Sequence, residues 1–337
     1  MRGEDMRGFR EGQGLSQPDF AIYLNEKLGR RYGRQQVSRW ENGAERIPEA
    51  VASLLRKEML GPDLPHGPAL LVVLTNQKGG VGKTTSAVNV ASILAQDGYK
   101  VLLIDADAQA NATLHLGVNA MERQEAGRTL YDVLTGKAAV RDCVVTMERT
   151  GLDLLPSSIR LSQGEVELAA RPASNFILRG HLSDIRKDYD FILIDCPPNL
   201  GQMTLNGLTA ADLALIPCQA ELMAIAGVDY LLQTIEQLRR LCHPDLSVLG
   251  LVPTMYTQRN TQDRESLSLI HERYGQEMRI FEPVPRSTTY AQSVAAGRAT
   301  IEVAPEVAGG AVFRSIANAL IAERGKRFGT PEVPNAA

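Results

Sequence analysis

The sequence predicts an α/β protein, a doubly wound and mostly parallel sheet, preceded by a small all-α domain. Six short apolar runs, at 70–74, 101–104, 152–155, 191–194, 213–216 and 248–252, are mostly continuous rather than alternating, the pattern of strands buried on both faces of a parallel sheet. Ten or more residues separate each run from the next, which leaves room for the crossover helices that parallel strands require. The third observation is a break in texture. Residues 61–69 (GPDLPHGPA) are rich in helix-breaking proline and glycine; before them the chain reads as helical, and after them apolar strands alternate with amphipathic stretches. We expect a linker there, a small helical domain over 1–66, a second domain over 67–330 and a disordered tail over 331–337.

The first helix worth placing starts after Ser16, a side chain suited to an N-cap, with Asp19 in the first turn, and runs to Leu28. A second covers 34–43 with Gly43 as its C-cap, Val37 and Trp40 inward, and Arg34, Gln35, Gln36 and Arg39 outward. Lys27, Arg30, Arg31, Arg34 and Arg39 occupy the interval from Glu26 to Glu41 with no acid between, and Gln and Arg are the side chains that pair bidentately with adenine and guanine edges. The string VSRWENG resembles the helix-turn-helix of phage repressors, although the turn at 29–33 is longer than in that class. The competing reading is a helical dimerisation cap with a solvated basic face.

The strand at 70–74 leads through Thr75, Asn76 and Gln77 into Lys78, Gly79, Gly80, Val81, Gly82, Lys83, Thr84 and Thr85, and a helical run continues to about Gln96. Glycines allow a tight path that aims backbone N–H groups at phosphate oxygens, and the helix adds its positive end. Lys83 is placed to neutralise terminal phosphates and Thr84 to ligate Mg²⁺, so this is an ATP-binding P-loop NTPase. The strict motif would need glycine at 77, where this chain has Gln77, and a second lysine, Lys78, stands at the start of the loop. Apolar runs ending in Asp195, and in Asp105 and Asp107, put carboxylates beside the metal and the attacking water. Downstream, Val228, Leu231, Leu232, Ile235 and Leu238 mark one face of a crossover helix closed by Arg239 and Arg240.

KGGVGKTT, the run LIDADAQAN at 103–111 and FILIDCPP at 191–198 together resemble the deviant Walker-box ATPases of the ParA/MinD family, nearest the ParA type, over roughly 69–325. The resemblance implies an ATP-dependent homodimer in which Lys78 reaches the partner's nucleotide while Lys83 serves its own, Asp107 aligns the water, and Asp195 holds Mg²⁺ through water. It also implies that the turn at Met255 and the pair Pro285 and Arg286 border the adenine. Ala108 and Ala110 depart from the proline and glycine more usual in the family. The implied function is DNA partitioning of a plasmid or chromosome, with nonspecific DNA binding through candidates Arg239, Arg240, Arg273 and Arg279, stimulation by a centromere-bound ParB-like partner, slow turnover, and autoregulation of its own operon through the helix-turn-helix.

Two other functions stay open: a transcription regulator whose ATPase only toggles dimerisation, and membrane positioning in the MinD manner. The second needs a free apolar face on a basic C-terminal helix, whereas the stripe Phe313, Ile316 and Leu320 reads as core. With a net charge of −3, any DNA affinity has to come from local patches. Four scattered cysteines without CxxC spacing, no signal-like N-terminus and no long apolar run lead us to expect a cytoplasmic protein without metal clusters or membrane spans, and the DNA binding that the resemblance implies would make it nucleoid-associated.

Overall fold

The computed structural model describes residues 3–60 and 67–329, so the expected linker falls largely outside the described residues and the expected tail wholly outside. The chain forms two compact units, one built on residues 3–60 together with 96–99 and one on residues 67–95 and 100–329.

The first unit holds four helices, α1 (Gly3–Gly12), α2 (Gln17–Leu28), α3 (Arg34–Glu41) and α4 (Glu49–Leu60). Ser16 caps α2 by accepting the Asp19 N–H at 3.3 Å, and Gly29 ends it in the left-handed region that glycine adopts without strain. Helix α3 is shorter than its sequence pattern: Asn42 is the C-cap, and Gly43 (φ 70°) follows in the left-handed conformation. Met6, Phe9, Phe20, Leu24, Val37, Trp40, Val51 and Leu55 form the core, which puts Trp40 inside. Glu41 is buried with them. It accepts from Arg10 Nε at 2.6 Å and Gln17 Nε2 at 2.8 Å, so one carboxylate ties α1, α2 and α3 together.

The second unit is built on seven strands, β1 (Leu70–Leu74), β2 (Val101–Asp105), β3 (Val145–Met147), β4 (Leu152–Leu155), β5 (Phe191–Asp195), β6 (Leu213–Gln219) and β7 (Ser247–Thr254), in the order β3-β4-β2-β5-β1-β6-β7. All neighbours are parallel except β3 and β4. The six apolar runs are six of these strands. The seventh, β3, is a three-residue, half-exposed edge strand with no apolar run to announce it.

Strands β1, β2 and β5 are buried throughout. Helix α5 (Lys83–Gln96) is buried on every side from Ser86 to Ala95, as expected of a helix without a polar face. Val228, Leu231 and Ile235 turn inward from the helix Leu222–Leu241, as their spacing predicts. In the last helix, Gly310–Phe328, the stripe of Phe313, Ile316 and Leu320 is buried, so it offers no free apolar face. No helix among the described residues is long and apolar enough to cross a membrane. The chain passes from β1 to β2 on one side and places β6 and β7 on the other, so the order reverses beside β1. The crevice at the carboxyl ends of the strands at such a reversal is where open α/β sheets receive ligands.

Candidate phosphate-binding site

Register brings the site's acids together. Leu74 and Asp105 both pair with Asp195, so β1, β5 and β2 end level, with the two carboxylates side by side next to the residue that leads into the loop. Gly80 (φ 72°) and Gly82 (φ 81°) are left-handed, which explains glycine at both. The loop is braced from within. Asn76 donates to the Pro217 carbonyl at 2.7 Å and accepts the Lys78 N–H at 3.1 Å. The Thr254 hydroxyl donates to the Val81 carbonyl at 2.9 Å.

Around the loop lies a cleft of about 310 Å³, lined by Gly79, Gly80, Val81, Gly82, Lys83, Thr84 and Thr85, with Asp107, Asn111, His115, Pro198, Met255 and Val294 facing them. Its size is that of a small-molecule site. Lys83 is buried at the start of α5, and its ammonium donates to the Lys78 carbonyl at 3.1 Å. Burial holds its pKa below the ordinary lysine value, against the opposing pull of Asp195 and Asp107. An anion entering the cleft would meet this cation together with the N–H groups of the loop.

The Thr84 hydroxyl donates to Asp195 Oδ2 at 2.6 Å, while the other carboxylate oxygen, Oδ1, is buried with no hydrogen-bond partner. Burial, and then the neighbouring Asp105 charge, push the Asp195 carboxyl up to about 8. An unpartnered buried carboxylate oxygen beside the Thr84 hydroxyl is chemically suited to a cation, or to the water of a cation.

Asp105 and Asp107 divide their work. Asp105 is fully buried and clamps the segment after β2: Oδ1 accepts the Asp107 N–H at 3.2 Å, and Oδ2 accepts the Thr113 N–H at 2.8 Å and its hydroxyl at 2.7 Å. Burial pushes this carboxyl up to about 6, with those hydrogen bonds opposing. It does not line the cleft, so the sequence expectation that it handles water is corrected: its oxygens are engaged in the clamp. Asp107 does line the cleft. Three residues after Asp107, Ala110 has φ 55°, a left-handed position where an alanine is strained and a glycine would not be; Met255, across the cleft, has φ 54°.

Lys78 does not reach the cleft. Its ammonium is paired with Glu221. Pro285 pairs with Tyr256 in an isolated bridge and Arg286 is exposed; neither lines the cleft, whereas Met255 does. In the helical unit Arg34, Gln35 and Arg39 are exposed on α3, while the Gln36 side chain accepts the Gly33 N–H at 3.0 Å. Arg39 lies 3.9 Å from Glu45, and the candidate arginines of the second unit also have local partners. Arg239 and Arg240 sit 3.5 and 2.8 Å from Glu236, Arg273 reaches Asp229 at 2.6 Å, and Arg279 donates to Ser315 at 3.2 Å and lies over Phe281.

Sequence reasoning missed Asn76, Thr254, Asn111, His115 and Val294. Their side chains join the site only through the fold, and only Asn76 stands close enough to the loop to have been suspected. His115 is buried between the cleft and a polar chain in which Ser293 lies 3.4 Å from its Nε2 and 2.7 Å from Thr300, which reaches Asn89 of α5 at 3.4 Å.

An AAA domain family model matches residues 69–248. Chromosome partitioning protein ParA of Caulobacter vibrioides is 37% identical over 77% of this chain and 97% of its own length. The sporulation initiation inhibitor protein Soj of Bacillus subtilis is 34% identical over 75% of this chain and 98% of its own. Among solved structures, cobyrinic acid a,c-diamide synthase from Mycobacterium smegmatis with bound ATP analog and magnesium shares 32% identity with a TM-score of 0.65, covering 78% of this chain and 98% of that one.

Proposed function

This chain belongs to the family of ParA-type partition ATPases, and from that premise we propose that it hydrolyses ATP with Mg²⁺, dimerises on ATP, binds DNA and moves or positions a replicon. One observation carries the chemistry: Lys83, Thr84 and Asp107 line one cleft, and Asp195, bonded to Thr84, stands behind them with an unpartnered buried oxygen. That donor set fits Mg²⁺, a hard cation that keeps waters and takes few protein oxygens, with Thr84 and Asp195 to hold it. When bound, the ion would neutralise charge on the terminal phosphates.

The residues of the chain do the rest. The N–H groups of 79–85 and the Lys83 ammonium hold the phosphates and counter the charge that grows on transfer. Asp107, kept in place by the Asp105 clamp, orients the water. Lys78, turned away from its own cleft, is assigned to the nucleotide of a second copy, which makes hydrolysis depend on assembly.

For DNA there are two readings. The partition reading has the ATP dimer bind any duplex and respond to a centromere-bound partner, with the helix-turn-helix of 1–66 adding operator recognition. The regulator reading confines all DNA contact to 1–66. It is favoured by one observation: Arg239, Arg240 and Arg273 are each neutralised by a carboxylate, whereas no ion pair is formed by Arg34 among the described residues. Binding of the full chain to random duplex and to duplex from upstream of its own gene, with ATP or ADP, separates them. In the partition reading an Arg34→Ala, Arg39→Ala variant keeps ATP-dependent, salt-sensitive binding to random duplex and loses only the upstream preference. Loss of all binding in that variant establishes the regulator instead.

A further inference from the structure

Lys78 is fixed at its backbone and aimed by one carboxylate. Its N–H is held by Asn76 Oδ1 at 3.1 Å and its carbonyl by Lys83 Nζ at 3.1 Å, so only the side chain is free to choose a direction. The choice is Glu221, at 2.5 Å. Glu221 is the N-cap residue of the twenty-residue helix Leu222–Leu241. An acid at that position ordinarily turns back onto the helix's free N–H groups, where the helix dipole favours it. Here its side chain makes no capping hydrogen bond and reaches the loop lysine instead.

We propose that Glu221 is the positioning residue of Lys78: it draws the ammonium out of the chain's own cleft and holds it in reserve until the phosphates of a second copy's nucleotide displace the carboxylate. This rests on the reading that Lys78 serves a partner's nucleotide. The pair is suited to a reversible hold. Both side chains are about two-fifths exposed, at 40% and 41%, and an ion pair in that setting is weak. It biases the direction of Lys78 without locking it, and a polyphosphate, carrying more charge than one carboxylate, out-competes it. Own-site use of Lys78 is disfavoured, and assembly has one contact to break.

The test is the dependence of ATP hydrolysis on protein concentration for the full chain with Mg²⁺. In Glu221→Gln the hold is gone, so half-maximal activity per protomer is expected at about twofold to fivefold lower protein concentration, the range an exposed ion pair can shift. This shift should exceed any change in the plateau rate, and Glu221→Asp should return part of it by restoring the charge. Glu221→Ala must move the midpoint the same way, which guards against an effect peculiar to the amide. An unmoved or raised midpoint in both Glu221→Gln and Glu221→Ala overturns the proposal. A Lys78→Ala control keeps the two ideas apart: full hydrolysis there refutes the role of Lys78 itself, whereas lost hydrolysis there with an unmoved Glu221→Gln midpoint refutes only the hold.

Discussion

The phosphate-loop edge of the sheet and the N-terminal helical unit both carry charged side chains, and they carry them in opposite ways. At the sheet edge Lys83, Asp105, Asp107 and Asp195 are all buried, so the groups proposed for chemistry, and the carboxylate that clamps them, are also groups whose desolvation the fold must offset. In the helical unit the arginines offered outward on α3 are exposed, and the buried Glu41 fastens helices together. Function and stability are therefore entangled at the sheet edge and separable in the helical unit.

The sharpest break of that comparison is Lys83→Ala. Removing a buried cation from the mouth of α5 should lower ATP hydrolysis at least about 100-fold, the scale of losing one preorganised charge at a transition state, and should abolish nucleotide binding. Asp107→Ala should lose hydrolysis and keep ATP. Phosphate release and ATP binding, measured side by side on the two proteins, distinguish a missing phosphate anchor from a missing water guide. Normal phosphate release from Asp107→Ala would remove that residue from the mechanism.

Glu41→Ala probes the other side. It strands the Arg10 guanidinium and the Gln17 amide, and breaking a buried ion pair typically costs about 3–5 kcal/mol. Burial pushes the Glu41 carboxyl up, but the bonds from Arg10 and Gln17 outweigh it and leave it below its ordinary value, so the carboxylate is ionised and its loss is felt at neutral pH. We expect hydrogen exchange to rise across α1–α3 while ATP turnover at saturating protein is kept. A parallel fall in turnover would show that the two regions are less separable than their charges suggest.

The same contrast explains what the sequence made legible. Continuous apolar runs are forced by burial on both sides of the sheet, which is why six strands could be placed, and why β3, short and half exposed, could not. Lys83, Thr84, Asp107 and Asp195 were legible because each stands at the end of such a run or in a glycine turn. The roles of Asp105, Thr254 and Glu221 were not, because each acts on a partner distant in sequence or through a direction only the fold sets; Glu221 lies 143 residues from Lys78. Helix α3 was overextended because Asn42 and Gly43 both suit a helix end, and sequence does not say which one takes the cap. The exposed arginines of the helix Leu222–Leu241 looked free for DNA until Glu236, one turn away on the same helix, was seen to pair with both.

His115 gives the smallest effect and the most direct measure of the entanglement at the sheet edge. Burial lowers its pKa from the ordinary 6.5 to about 4, with a hydrogen bond to the Arg298 backbone opposing. The folded protein keeps the imidazole neutral while the unfolded chain protonates, so this residue's contribution is intact above pH 6.5 and is lost as pH falls toward 4. At pH 5 the loss amounts to about 2 kcal/mol relative to pH 7.5. Denaturant midpoints at those two pH values should therefore move further apart in the native chain than in His115→Gln, which has no titrating ring. ATP with Mg²⁺ should raise both midpoints by mass action. Equal separations in the native and variant chains would mean that the ring is reached by water in solution, and that the polar chain through Ser293 and Thr300 does not seal this side of the cleft.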